Sequence, residues 1–209
     1  MRIFLTIITF LMYANIVNAS LINTDYASAG DELLVLDTNT NLEWALVTQT
    51  GNSVDHFYNN SIYAGGDFTV ANATDLLTFF TNAGATGLTI GTRYDGDQYD
   101  APAQLIYELM DFNSPYTEFG DNNWIHAFYD NGSGTYDTAR VGWDGDTYLS
   151  QSSFTIGSNN LSNASSSQSH LAYSVWAYRE ASSVPEPASL ALLALGLAGI
   201  GFSRKKKTA

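Results

Sequence analysis

There is no cysteine in the chain. That excludes a thiol nucleophile, a thiolate metal site and an iron–sulfur cluster, and it leaves an exported fold to be held by its core alone. Basic residues are nearly as scarce. Of eight lysines and arginines, five sit in the two ends, at Arg2, Arg204, Lys205, Lys206 and Lys207. The body between them has no lysine and keeps only Arg93, Arg140 and Arg179 against 20 acidic residues, about −17 in all. Such a surface repels nucleic acid and anionic lipid, so no nucleic-acid partner is expected. Its acidity suits solubility outside the cell, or cation binding. Metal-ligand spacings are missing too: His56, His126 and His170 fall in no H-E-x-x-H or related pattern. Gly132-Ser133-Gly134 is not a nucleophile elbow, which needs G-x-S-x-G, and reads as a hairpin turn. Twenty carboxylates allow many acid pairs for glycoside hydrolysis, and spacing singles out none.

What is present is concentrated at the ends. Arg2, an apolar run from Ile3 to Ala14 and the small-residue site Val17-Asn18-Ala19 make a secretory signal peptide over 1–19, cut after Ala19. It would be read by the Sec machinery. At the other end stand Val184-Pro185-Glu186-Pro187, an apolar run from Ala188 to Phe202, and the basic stop Arg204-Lys205-Lys206-Lys207. As a helix, that run spans about 22 Å against a hydrocarbon core of about 30 Å. Gly196, Gly199 and Gly201 weaken it further. A slightly short span suits a temporary anchor. The basic cluster resists translocation, so the body faces outside and the tail end stays inside. Two prolines one residue apart exclude helix and hold the backbone extended for a protease cleft.

This three-part tail resembles the PEP-CTERM sorting signal of Gram-negative bacteria. The resemblance implies an exosortase that recognises Pro185, Glu186 and Pro187 and removes the tail. It also implies an inner-membrane intermediate, then the cell surface or an extracellular polysaccharide matrix. The expected plan is a signal peptide at 1–19, a globular domain at 20–180, a linker at 181–184 and a sorting tail at 185–209. Within the tail, 187–203 is the expected membrane helix and 204–209 the cytoplasmic end.

In the body, Leu33–Leu36 and Leu42–Val47 flank the turn cluster Asp37–Asn41 and predict a hairpin. Val54–Tyr63 is a weak helix candidate. Asp67–Gly84 is a better one, with Asn72 or Thr74 as cap, Asp75 in the first turn and Gly84 as its end. Ala103–Met110 is a third, with Pro102 near its start. Beyond residue 120, Trp124–Tyr129, Thr138–Trp143 and Leu171–Tyr178 read as strands. In the first and last of these, apolar residues on both faces predict cover on both sides. Ser150–Ser169 reads as a long loop around one short strand, Phe154–Ile156.

The expected class is therefore α+β, mainly antiparallel, with two or three short helices; an all-β sandwich is the alternative. The phrase D-x-x-T-x-L-x-W, here Asp37, Thr40, Leu42 and Trp44, is similar to one in Lcl C-terminal surface domains. That similarity implies a C-type-lectin-like fold.

Two sites suggest ligands. Asp95-Gly96-Asp97-Gln98-Tyr99-Asp100 places three carboxylates in six residues, a set that Ca²⁺ could use, although EF-hand spacing is absent. Asp144-Gly145-Asp146 is a lesser set of the same kind. Tyr94, Tyr99, Trp124 and Trp143, beside Asn and Asp, are of the type that stacks on sugar rings. No other cofactor is expected. The reading is a non-enzymatic exported protein with exopolysaccharide as a partner. A glycan hydrolase or lyase, and a purely structural matrix protein, are the alternatives.

Overall fold

A computed structural model of the chain describes residues 20–110, 124–143, 151–157, 163–169 and 173–181. The expected signal peptide and membrane helix, and the sorting tail, lie outside the described residues, as do His170 and Asp144–Asp146. Among the described residues no helix is long and apolar enough to cross a membrane.

The expected hairpin is present. Strands β2 (Leu34–Asp37) and β3 (Leu42–Ala45) pair antiparallel, with Leu34 opposite Ala45 and Asp37 opposite Leu42. The buried Asp37 closes its turn. One carboxylate oxygen accepts the backbone N–H of Asn39 at 3.0 Å and of Thr40 at 3.4 Å. Asn41 then takes a left-handed φ of 58°, which asparagine tolerates better than most residues. The second oxygen of Asp37 accepts the Asn82 amide at 2.7 Å, tying the turn to the end of a distant helix. Asp37→Ala leaves these donors unanswered and is expected to cost about 1–3 kcal/mol in a denaturation series. Asp37→Asn keeps an acceptor and should lose less. Equal losses for the two variants would show that the acceptor is not the cause.

Two five-stranded sheets follow. The first adds β1 (Leu21–Thr24), β4 (Thr69–Val70) and β10 (Ala177–Glu180), in the order β1-β2-β3-β10-β4. The second holds β5 (Arg93–Asp95), β6 (Trp124–Asp130), β7 (Tyr136–Gly142), β8 (Ser153–Ile156) and β9 (Ser174–Val175), in the order β5-β8-β7-β6-β9. All pairings are antiparallel except β6 with β9. Three short helices complete an α+β fold: α1 (Val54–Asn60), α2 (Ala73–Asn82) and α3 (Asp100–Leu109). Ser53 caps α1, and Asn72 with Asp75 forms a capping box on α2. The proposed start of α2 at Asp67 is corrected: Thr69–Val70 pairs as β4, because Val70 buries its side chain beside Ala177 before the cap.

Each sheet contributes to both of two cores. Val35, Trp44, Leu76, Phe79 and Phe80 join Ile125, Val141, Phe154, Ile156 and Trp176 in the first. Leu34, Ala45, Val54, Phe57, Tyr63, Phe68 and Val70 join Phe128, Tyr173, Val175 and Ala177 in the second. Strand alternation explains the division, since neighbours along a strand face opposite cores.

The expected single strand Leu171–Tyr178 is also corrected. Its described part is two strands in different sheets, broken at the buried Trp176. The Trp176 N–H donates to Phe128 O at 2.9 Å, and its carbonyl accepts the Ala71 N–H at 2.9 Å. One residue thus links the second sheet to the strand β4 end of the first. Periodicity shows an apolar run here but not a change of partner.

Candidate functional site

The face of the second sheet that turns away from the first core carries an unusual set of side chains. Register places Arg93, Thr155, Arg140 and His126 in one row across β5, β8, β7 and β6. The next row is Asp95, Ser153, Gly142 and Trp124. Phe154, Ile156, Val141 and Ile125 point the other way, into the first core. At the far end of the face Phe128 joins the second core, and Tyr173 packs on both Phe128 (5.5 Å between ring centres) and His126 (5.2 Å). The face is therefore apolar and covered at one end, and charged and half-exposed at the other. The expectation that Trp124–Tyr129 is covered evenly on both sides is corrected accordingly: Trp124 and His126 are only partly buried.

Glycine makes room for the indole. A Cβ on Gly142 would stand 2.4 Å from the Trp124 ring, so no other residue fits opposite without displacing it. The Arg140 guanidinium lies over that ring at 3.8 Å from its centre, and Arg93 approaches it at 5.9 Å. Cation–π attraction and the flat guanidinium favour this stack.

The three body arginines are not equivalent. Arg179 donates to Glu43 at 2.8 Å, with both side chains largely buried, and lies over Tyr26 and Phe68. Arg93 donates to Asp95 at 2.7 Å at the surface. Arg140 has no ion pair among the described residues, and its buried Nε has no hydrogen-bond partner there. Burial and the nearby Arg93 charge push the Arg140 pKa down to about 10, while Asp95 and Tyr173 oppose the shift. It remains a cation at neutral pH. Beside it the hydroxyls of Ser153, Thr155 and Thr138 are buried without a hydrogen-bond partner among the described residues. A buried hydroxyl left without a partner costs about 1–3 kcal/mol.

The sequence-proposed sugar residues do not gather. Trp124 is on the face just described. Tyr94 bonds Thr89 through its hydroxyl at 2.6 Å and packs against the first core. Tyr99 is buried in that core, 6.3 Å from Tyr94. Trp143 packs on Tyr107 at 5.3 Å on the same side. Asp95, Asp97 and Asp100 follow one another along β5, a 3-10 turn (Asp97–Tyr99) and the first residue of α3. Asp95 is engaged by Arg93, and among the described residues no three His, Asp or Glu side chains gather as a metal site. Sequence reading missed Arg93, Arg140, Ser153 and Thr155. The available signal was an arginine in mid-strand between two core residues, Ala139 and Val141, in a chain nearly devoid of cations.

Residues 183–205 match the PEP-CTERM protein-sorting motif. No curated protein and no solved structure matches the chain. The motif marks an exosortase substrate that is exported and sorted at the membrane in Gram-negative bacteria.

Proposed function

We propose that this is a non-enzymatic surface or matrix protein whose body binds saccharide through the outer face of the second sheet. The observation that carries the reading is Trp124, fixed over Gly142 and flanked by cations and unanswered hydroxyls. An indole takes the apolar face of a sugar, and polar neighbours take its hydroxyls. The carboxylate on this face, Asp95, is bonded to Arg93, which favours binding over acid–base chemistry. A C-type-lectin-like arrangement of the body accords with this use, and its support is the Asp37–Trp44 hairpin phrase. The sorting tail supports an exported setting, and the cell surface or exopolysaccharide is the destination this reading assigns to the body.

A glycan array probed with the full chain, in a detergent free of sugar and with and without Ca²⁺, tests this. Binding to a subset of glycans is expected. Trp124→Ala should weaken it about tenfold, as loss of an aromatic contact worth about 1.4 kcal/mol would. Gly142→Ala should weaken it as well, by displacing the ring. Silence across the array from a folded sample would leave a purely structural role.

A further inference from the structure

Resting on the saccharide reading, we infer that the site selects acidic sugars: Arg140, stacked on Trp124, receives a carboxylate of the bound saccharide, with Arg93 beside it. Arg140 is the body arginine that makes no ion pair among the described residues, although the Asp95 charge lies near enough to be felt. Arg179 and Arg93 each have one. Stacking on the indole holds the guanidinium plane. A carboxylate matches a guanidinium edge with two parallel N–H···O bonds, whereas a neutral hydroxyl takes one. Register sets Thr155 directly between Arg93 and Arg140, and Ser153 in the next row.

The overall charge sharpens the point. A body near −17 repels anions at long range, so a preference for an acidic sugar has to arise locally. Salt screens that repulsion beyond about 8–10 Å, while the stacked pair acts at contact.

The test compares oligogalacturonides with their methyl esters, which keep the sugar and remove the charge. The full chain in a sugar-free detergent is titrated with each by calorimetry. The acidic oligomer is expected to bind at least about tenfold tighter than the ester, a difference of about 1.4 kcal/mol. Arg140→Gln should bring the two to parity. Arg140→Lys, with charge but no fork, should keep only part of the preference. Arg93→Gln is a second variant at an exposed pair that the fold does not need, and it should reduce selectivity without moving the melting temperature. Equal binding of acid and ester by the unaltered chain would overturn the acidic-sugar inference and leave saccharide binding standing. Binding of neither, nor of any neutral oligosaccharide, would overturn both. Selectivity that survives Arg140→Gln would overturn the role given to Arg140.

Discussion

Trp44→Ala is expected to lose about 3–5 kcal/mol of folding stability, the largest single loss among substitutions in the described body. Trp44 is fully buried on β3 and lies at the centre of the first core. Its ring stands 4.4 Å from Phe79 of α2 and 5.2 Å from Tyr178 of β10. Truncation therefore opens a cavity where a sheet, a helix and the strand leading out of the body all meet. The two remaining rings, Phe79 and Tyr178, cannot collapse into that space without breaking the β3–β10 register, in which residue 44 faces Tyr178. With no disulfide to limit the unfolded chain, nothing else offsets the loss. Urea denaturation followed by tryptophan fluorescence and far-UV circular dichroism measures it. Trp44→Phe keeps a ring and removes an indole N–H that has no partner among the described residues, so it should lose less. A loss below about 1 kcal/mol for Trp44→Ala would mean that the core does not close around this residue.

The same residue shows how far the sequence could be read. The phrase running from Asp37 to Trp44 is legible because every member has a local duty: Asp37 closes the turn, Asn41 takes the positive φ, and Trp44 enters the core. Local duties leave local patterns. The second helix was legible for the same reason, since its Asn72 cap and apolar spacing act within one element; the Ser53 cap of α1 became visible only in the fold. The sheet partners were not. Whether Val175 and Ala177 belong to one strand or two depends on Phe128 and Ala71, residues about 50 and 105 positions away, which bond the backbone of Trp176. The candidate site is hidden in the same way. Arg93, Thr155, Arg140 and Trp124 lie on four strands, and only register aligns them. Sequence singled out Trp124 by residue type, but grouped it with Tyr94, Tyr99 and Trp143, which the fold places on the core side of the sheet. The electrostatic clue was legible in principle: a scarce cation in mid-strand is costly unless something answers its charge.

Replacing Glu186 with Ala is expected to stop removal of the sorting tail almost completely. The PEP-CTERM match covers residues 183–205, and within that range Pro185-Glu186-Pro187 is the proposed recognition element. Proline as a residue type restricts φ to about −65° and disfavours helix, so the enzyme is proposed to read this sequence by its proline spacing. Glu186 is the single charge between the two prolines, so it is the side chain an enzyme can read in a segment otherwise defined by shape. Beyond it, the basic cluster Arg204–Lys207 is the proposed stop, since excess Lys and Arg resists translocation and would hold the chain where a membrane enzyme can act. Mass spectrometry of protein recovered from the native host separates the outcomes. Unaltered protein should end near residue 184 and lack the lysine cluster. Glu186→Ala should retain Lys205–Lys207 and stay with the membrane fraction. Replacing Arg204–Lys207 with glutamine should act differently: the tail loses its stop, and the protein reaches the medium with residues 185–209 still attached. Recovery of a trimmed chain from Glu186→Ala, at the rate of the unaltered protein, would show that the enzyme does not read this carboxylate. A trimmed chain from the glutamine variant would show that retention by the basic cluster is not what brings the element to the enzyme.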